Sequence, residues 1–221
     1  FESNYATTTR LDDLHEFGYF WRYWLKKDSV KEILQSKEME NTIDWKGLKK
    51  AVLNIHQAFG NGWICKNIFG AYHIKKHLEL LKKSFFVYIE RDPLDVGISI
   101  MDARKKFYKD PSIWWSTLPY EYPEIKGLSA EEQVAAQVVF LRKLYEQEIK
   151  EADADRVIRV HYKNATATPN ETTNLIHERI KKISGIEMTK RPGIPQKFPV
   201  RSYDGRTEEK ELFAKLLKKF Q

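Results

Sequence analysis

Residues 85–99 read Phe-Phe-Val-Tyr-Ile-Glu-Arg-Asp-Pro-Leu-Asp-Val-Gly-Ile-Ser, and the architecture turns on this stretch. Phe85 to Ile89 is a continuous apolar run, rich in aromatic and β-branched residues and too short for a helix. It predicts a strand covered on both faces, as strands of parallel sheets are. Asp92-Pro93 follows at once, an N-cap residue ahead of a proline at the first helical position, so a helix is expected from here to about Lys109.

Two further strands are expected on either side, Trp63-Ile64-Cys65 and Val157–His161. Helical periodicity fills the spaces between. Residues 12–38 carry Phe17, Phe20, Trp21, Trp24 and Leu25 at helical spacing. Trp45 to Phe59 is amphipathic and ends at Gly60-Asn61-Gly62; Tyr72 to Lys83 returns to the same period. Ser129 with Glu132 forms a capping box for a helix to about Ala152. Thr168-Pro169-Asn170-Glu171 opens another to about Ile183, and Thr207 to Phe220 is the last. Residues 110–128 and 191–205 read as loops. Strands separated by long helices imply one α/β domain over residues 1–221, a doubly wound parallel sheet with helices on both faces. Three strands are few for such a sheet, so a first strand is expected ahead of Phe1.

Composition narrows the chemistry. With 42% hydrophobic and 13% aromatic residues among 221, the chain builds a core. One cysteine excludes a disulfide framework and any site of several thiolates. No apolar run approaches about 18 residues and no leader pattern opens the chain, which leans toward the cytoplasm unless an anchor precedes Phe1. The net charge of +7 suits an anionic partner. Paired lysines such as Lys49-Lys50 and Lys75-Lys76 fit solvated helix faces, and no nucleic-acid-binding pattern accompanies them.

In an open parallel sheet, ligands bind beyond the carboxyl ends of the strands. The residues standing there are Lys66, Arg91 and Tyr162. Two cations and a hydroxyl on one rim read as an anion site, with the unpaired N–H groups of the next helix beside Arg91. Each has a plainer reading: a salt bridge from Arg91 to Asp92 or Asp95, an exposed lysine, a half-packed tyrosine.

Residues 85–99 also resemble the 3′-phosphate-binding signature of sulfotransferases that use 3′-phosphoadenylyl sulfate (PAPS): a strand, Arg-Asp-Pro-x-Asp-Val, and a helix with Ser eight residues after the Arg. Trp63-Ile-Cys-Lys-Asn67 resembles the lysine-bearing segment of tyrosylprotein and carbohydrate sulfotransferases. Arg159-Val-His-Tyr-Lys-Asn164 with Pro169 resembles the family's strand-to-helix step, although Lys163 stands where a Glu is usual.

The resemblance implies a P-loop-like fold, with PAPS as co-substrate, adenosine 3′,5′-bisphosphate (PAP) as product, no metal, and a hydroxyl acceptor, carbohydrate marginally favoured. Arg91 and Ser99 would bind the 3′-phosphate and Lys66 would stabilise the leaving phosphate. Arg104, Tyr162, Lys197 and Arg201 would add to the nucleotide site, with Ser202 and Arg206 of similar character. The Gly/Ser/Thr-rich 5′-phosphosulfate loop has no counterpart here and is expected before Phe1. Glu2 would then be the base, with His15 and Glu16 as lesser candidates.

Trp114, Trp115, Tyr120 and Tyr122 could stack on an acceptor or pack as a lid. His73 and His77 have metal-capable spacing without an evident third ligand. Asn164-Ala-Thr and Asn170-Glu-Thr match the glycosylation pattern. Two other classes stay open: a non-catalytic nucleotide- or polyanion-binding domain, and a P-loop-type nucleotide kinase.

Overall fold

The computed structural model describes residues 17–26, 37–60, 62, 64–189, 193–200 and 203–221. Among them lie ten α-helices and two strands. The early helices are α1 (Gly18–Trp24), α2 (Lys37–Glu40), α3 (Trp45–Phe59) and α4 (Ile74–Leu80). Strand β1 (Phe86–Glu90) leads into α5 (Pro93–Tyr108), followed by α6 (Tyr122–Ile125) and α7 (Ala130–Glu151). Strand β2 (Val157–His161) is followed by α8 (Tyr162–Ala167), α9 (Pro169–Ser184) and α10 (Thr207–Phe220).

The caps form as the residues dictate. Asp92 accepts from the Leu94 N–H at 2.9 Å, with Pro93 opening α5. Gly60 ends α3 at φ 68°, a left-handed stop that costs glycine nothing. Ser129 and Glu132 form the reciprocal box on α7, and Lys219 of α10 also bonds the Glu132 carboxylate at 2.6 Å. The hydrogen bonds from Lys219 and Ser129 hold the Glu132 carboxyl down at about 2.

Because the folded state favours the ionised form, that stability is present above the ordinary carboxyl range near 4.5 and is lost as pH falls toward about 2. E132Q is expected to flatten the acid limb of stability between those values. A pH series of urea melts checks it; an unchanged acid limb would remove Glu132 from the account.

The two strands pair in parallel, Phe86 opposite Val157 through Glu90 opposite His161. Phe86 and Tyr88 pack with Val157 onto Ile74, Leu78 and Ile149 of α4 and α7. On the other face Ile158 and Val160 are buried and α9 packs against β2, while Val87 and Ile89 stay 41% and 55% exposed. Two larger apolar clusters lie beyond the sheet. One joins Trp21, Leu48, Phe69, Trp114 and Leu118; the other joins α5, α7 and α10 through Ile98, Val134, Val139 and Phe213. Gly97 permits the last contact, since a Cβ there would lie 2.9 Å from the Phe213 ring.

Ile64 and Cys65 do not form the expected strand. Trp63 lies outside the described residues, and 64–67 follow no regular hydrogen-bonding pattern. Ile64 is 93% exposed, while Cys65 packs against the first cluster. Ile64 and Cys65 are thus used separately rather than in a ladder. The segment then turns: Asn67 Oδ1 accepts from the Gly70 N–H at 2.7 Å and leads into a 3-10 turn over Gly70–His73. The expected helix over 72–83 is shared between that turn and α4, and it stops at Leu80. Among the described residues no helix is long and apolar enough to cross a membrane.

Candidate functional site

Arg91 leaves β1 at its carboxyl end, where the chain turns into α5. Neither Asp92 nor Asp95 pairs with it. Asp92 is committed to the helix cap, and Asp95 faces Lys210 of α10 at 3.9 Å. Among the described residues Arg91 has no ion-pair partner. Its guanidinium instead lies between two rings, 4.8 Å from the Tyr162 centroid and 5.5 Å from that of Tyr203, and its Nε is buried without a hydrogen-bond partner. Two tyrosine faces hold a cation by quadrupole attraction without neutralising it. The result is a fixed positive charge at the end of the sheet that keeps its appetite for an anion.

Tyr162 arrives by the local sequence after β2. It is the first residue of α8, and its carbonyl accepts from Thr166 Oγ1 at 2.8 Å. Tyr203 arrives from the far end of the chain. Phe198 N–H donates to Thr166 O at 2.8 Å, tying the late loop to α8, and Arg206 binds both oxygens of Asp102 on α5 at 2.8 Å and also pairs with Glu209. That network positions Tyr203 over Arg91. Sequence reasoning named Arg201, Ser202 and Arg206 but missed Tyr203, whose signal was an aromatic inside a basic loop.

Ser99 is partly buried in the second turn of α5. Asp95, Ser99 and Asp102 stand at i, i+4 and i+7, so they share a face. Since Asp95 and Asp102 meet Lys210 and Arg206, that face looks toward the segment carrying Tyr203. The Ser99 hydroxyl makes no hydrogen bond among the described residues. Arg91 meets Tyr203 directly, while Ser99 does not line the cleft that Arg91 lines.

Other expected members fall elsewhere. Arg104 is 0% exposed and bonds Pro111 O and Gln133 Oε1 beneath the Trp114 ring, an interior brace rather than a rim cation. The apolar stripe Gly97, Met101 continues onto it at i+7, a signal the charge concealed. Lys66 is exposed on the irregular segment before Gly70 and does not line the cleft that Arg91 lines. Lys197 is exposed on the loop anchored through Phe198. Glu2, His15, Glu16, Arg201 and Ser202 lie outside the described residues.

The aromatic loop packs inward. Trp114 is buried against Tyr122, Trp115 stacks on Phe107 at 4.5 Å, and Tyr120 donates to Glu40 of α2. Burial and that carboxylate together push the Tyr120 phenol well above its usual range. His77 Nδ1 lies 2.8 Å from the His73 carbonyl, and its ring sits among Trp21, Trp45 and Phe86, where burial lowers its pKa. The described residues contain no group of three ligands able to hold a metal. Glu90, beside Arg91, is held by Arg159 at 2.5 Å, and Arg159 also grips Glu146 at 2.6 Å, which raises the guanidinium above its ordinary value.

Chemically, the site offers a fixed cation held against two aromatic rings, an arrangement suited to an oxyanion. No protein-family model, no curated protein and no solved structure matches the chain.

Proposed function

We propose that this chain is a PAPS-dependent sulfotransferase domain acting on a hydroxyl acceptor. The observation that carries the reading is Arg91: a cation without an acidic partner among the described residues, held between Tyr162 and Tyr203 at the end of a parallel strand. The resemblance of residues 85–99 to the 3′-phosphate signature supplies the ligand. The contacts of Tyr203 with Arg91 and of Phe198 with Thr166 support it, since a basic loop at the nucleotide is what that family uses. The two parallel strands, with α4 and α7 on one face and α9 at the other, are read as part of a larger P-loop-like sheet.

In this reading Arg91 and Ser99 hold the 3′-phosphate. The acceptor oxygen attacks sulfur in line, an O–S bond forms, the S–O bond to the 5′-phosphate breaks, and PAP leaves. Catalysis is positioning and charge stabilisation, because the loose transition state places negative charge on the equatorial and leaving oxygens. The resemblance alone assigns Lys66 to the leaving phosphate and Glu2 to the acceptor proton; Lys66 does not line the cleft beside Arg91, and Glu2 lies outside the described residues. The rings of residues 110–128 are engaged in packing and Tyr120 in its bond to Glu40, which removes the argument for a stacked carbohydrate and leaves the acceptor as a hydroxyl.

Calorimetric titration with PAP and with ATP, followed by transfer of labelled sulfate from PAPS to sugars, peptides and lipids, tests this. Tighter binding of PAP than ATP, with label transferred, is expected. PAP binding without transfer to any acceptor would leave only a nucleotide-binding domain, and preference for ATP would favour a kinase.

A further inference from the structure

Lysine pairs that read alike in the sequence part company in the structure. Lys75 reaches Glu151 at 3.2 Å and Lys76 reaches Glu79 at 3.4 Å. Lys181, Lys210 and Lys219 each meet a carboxylate as well. Lys46, Lys49 and Lys50 of α3 meet none among the described residues, and all three are exposed. They stand at i, i+3 and i+4, and the same stripe continues at i+7 onto Leu53, also exposed. The opposite stripe, through Leu48 and Val52, is buried. Helix α1 packs alongside: its Trp24 lies so close to Gly47 of α3 that an added Cβ would come within 2.6 Å of the indole. Tyr19 and Tyr23, one turn apart on α1, are 86% and 69% exposed, with Arg22 and Lys26 over their rings. Neither α1 nor α3 contains an acidic residue. Phe59 at the end of α3 and Ile64 beyond it project into solvent.

A solvated helix face ordinarily interleaves both signs of charge and keeps large apolar groups inside. Here one sign stands alone beside exposed rings and aliphatic groups. We propose that α1 and α3 form a docking surface for an anionic lipid membrane, bound peripherally. The ammonium groups would meet the anionic headgroups, and the tyrosine rings and Leu53 would enter the headgroup boundary, where amphipathic and apolar side chains are favoured over water. Leu53, Phe59 and Ile64 favour a bilayer over a nucleic acid, whose phosphates would use the lysines and leave the apolar groups in water. The surface involves none of the residues around Arg91 and does not depend on what binds there.

The test is co-sedimentation of the full chain with phosphatidylcholine vesicles that contain or lack about one third phosphatidylserine, at about 0.1 M salt. Binding to the anionic vesicles is expected to be at least about tenfold tighter than to phosphatidylcholine alone, and to be lost at about 1 M salt. Replacing Lys46, Lys49 and Lys50 together with glutamine is expected to weaken it by roughly fivefold for each lysine, about a hundredfold in all. Leu53→Gln is expected to weaken it severalfold without changing the salt dependence, because it removes apolar contact and no charge. All substituted positions face solvent, and circular dichroism confirms the fold. Equal binding to the two kinds of vesicle would overturn the proposal, as would a folded triple variant that binds undiminished. So would tighter binding to a single-stranded RNA of about twenty nucleotides than to anionic vesicles of equal phosphate content.

Discussion

Replacing Arg91 with alanine is expected to weaken PAP binding about 30- to 100-fold while moving the melting temperature by no more than about 4 °C. The first figure follows from removing a charged donor from a partly buried phosphate contact, worth roughly 2–3 kcal/mol at 1.4 kcal/mol per decade. The second follows from what Arg91 does for the fold. Its stacking on Tyr162 and Tyr203 stabilises, but its Nε is desolvated without a partner and no acid neutralises it among the described residues. These terms oppose each other, so the net change is within about 1 kcal/mol, or some 2–4 °C for a domain of this length. A residue kept for folding would show the reverse pattern.

Thermal shift supplies the check. PAP at a hundredfold excess over its Kd should stabilise the unaltered chain by about 2.7 kcal/mol, roughly 5–10 °C, and Arg91→Ala by only about 0.4–0.9 kcal/mol, roughly 1–3 °C, at that concentration. Arg91→Lys should recover only part of the affinity, because an ammonium cannot present the planar fork. Ser99→Ala should lose about fivefold, one neutral hydrogen bond. Equal PAP-induced shifts in the Arg91→Ala and unaltered chains would separate Arg91 from the nucleotide altogether.

The parts of this fold that could be read in advance are those where local and tertiary demands agree. Helices α3 and α10 and strand β2 have the bounds their periodicity and punctuation predict, and the Ser129–Glu132 box forms on α7. Thr168 illustrates the opposite case. Its hydroxyl was expected to cap α9, yet it donates back to Asn164 O at 3.3 Å because Tyr162–Ala167 is itself helical. Pro169 then forces the break, since the residue before a proline resists the helical conformation. The run 63–65 misled because three apolar residues say nothing about whether a neighbouring strand is present to pair with them.

The site divides along the same line. Arg91 and Tyr162 were legible because each follows a strand directly, and chain direction fixes where such residues stand. Tyr203 was not, because it reaches Arg91 only through contacts made by Asp102, Arg206 and Thr166, all far apart in sequence. The burial of Gln137 was hidden for a related reason. A glutamine in a helical stripe looks solvated until the carbonyls of Trp115 and Thr117 are known to fold over it.

Arg104 carries the largest expected effect on stability. Its Nη1 serves two acceptors, Pro111 O at 3.2 Å and Gln133 Oε1 at 3.0 Å, while its Nε and Nη2 are buried without partners among the described residues. Burial pulls its pKa down to about 10. The guanidinium therefore clasps the loop after α5 to α7 while bearing an uncompensated desolvation cost.

Arg104→Ala should leave both acceptors unsatisfied, open a cavity under Trp114 and cost about 3–5 kcal/mol, a fall of roughly 6–20 °C in melting temperature. Arg104→Met should cost no more than about half as much, because it fills the space and removes the buried charge together with the donor. Urea melts of both variants decide the comparison. Equal costs would mean that the charge itself stabilises the fold. The PAP affinity of Arg104→Met should match that of the unaltered chain, since the side chain is sealed between α5, α7 and the loop. A folded methionine variant that lost the nucleotide would restore this arginine to the binding site.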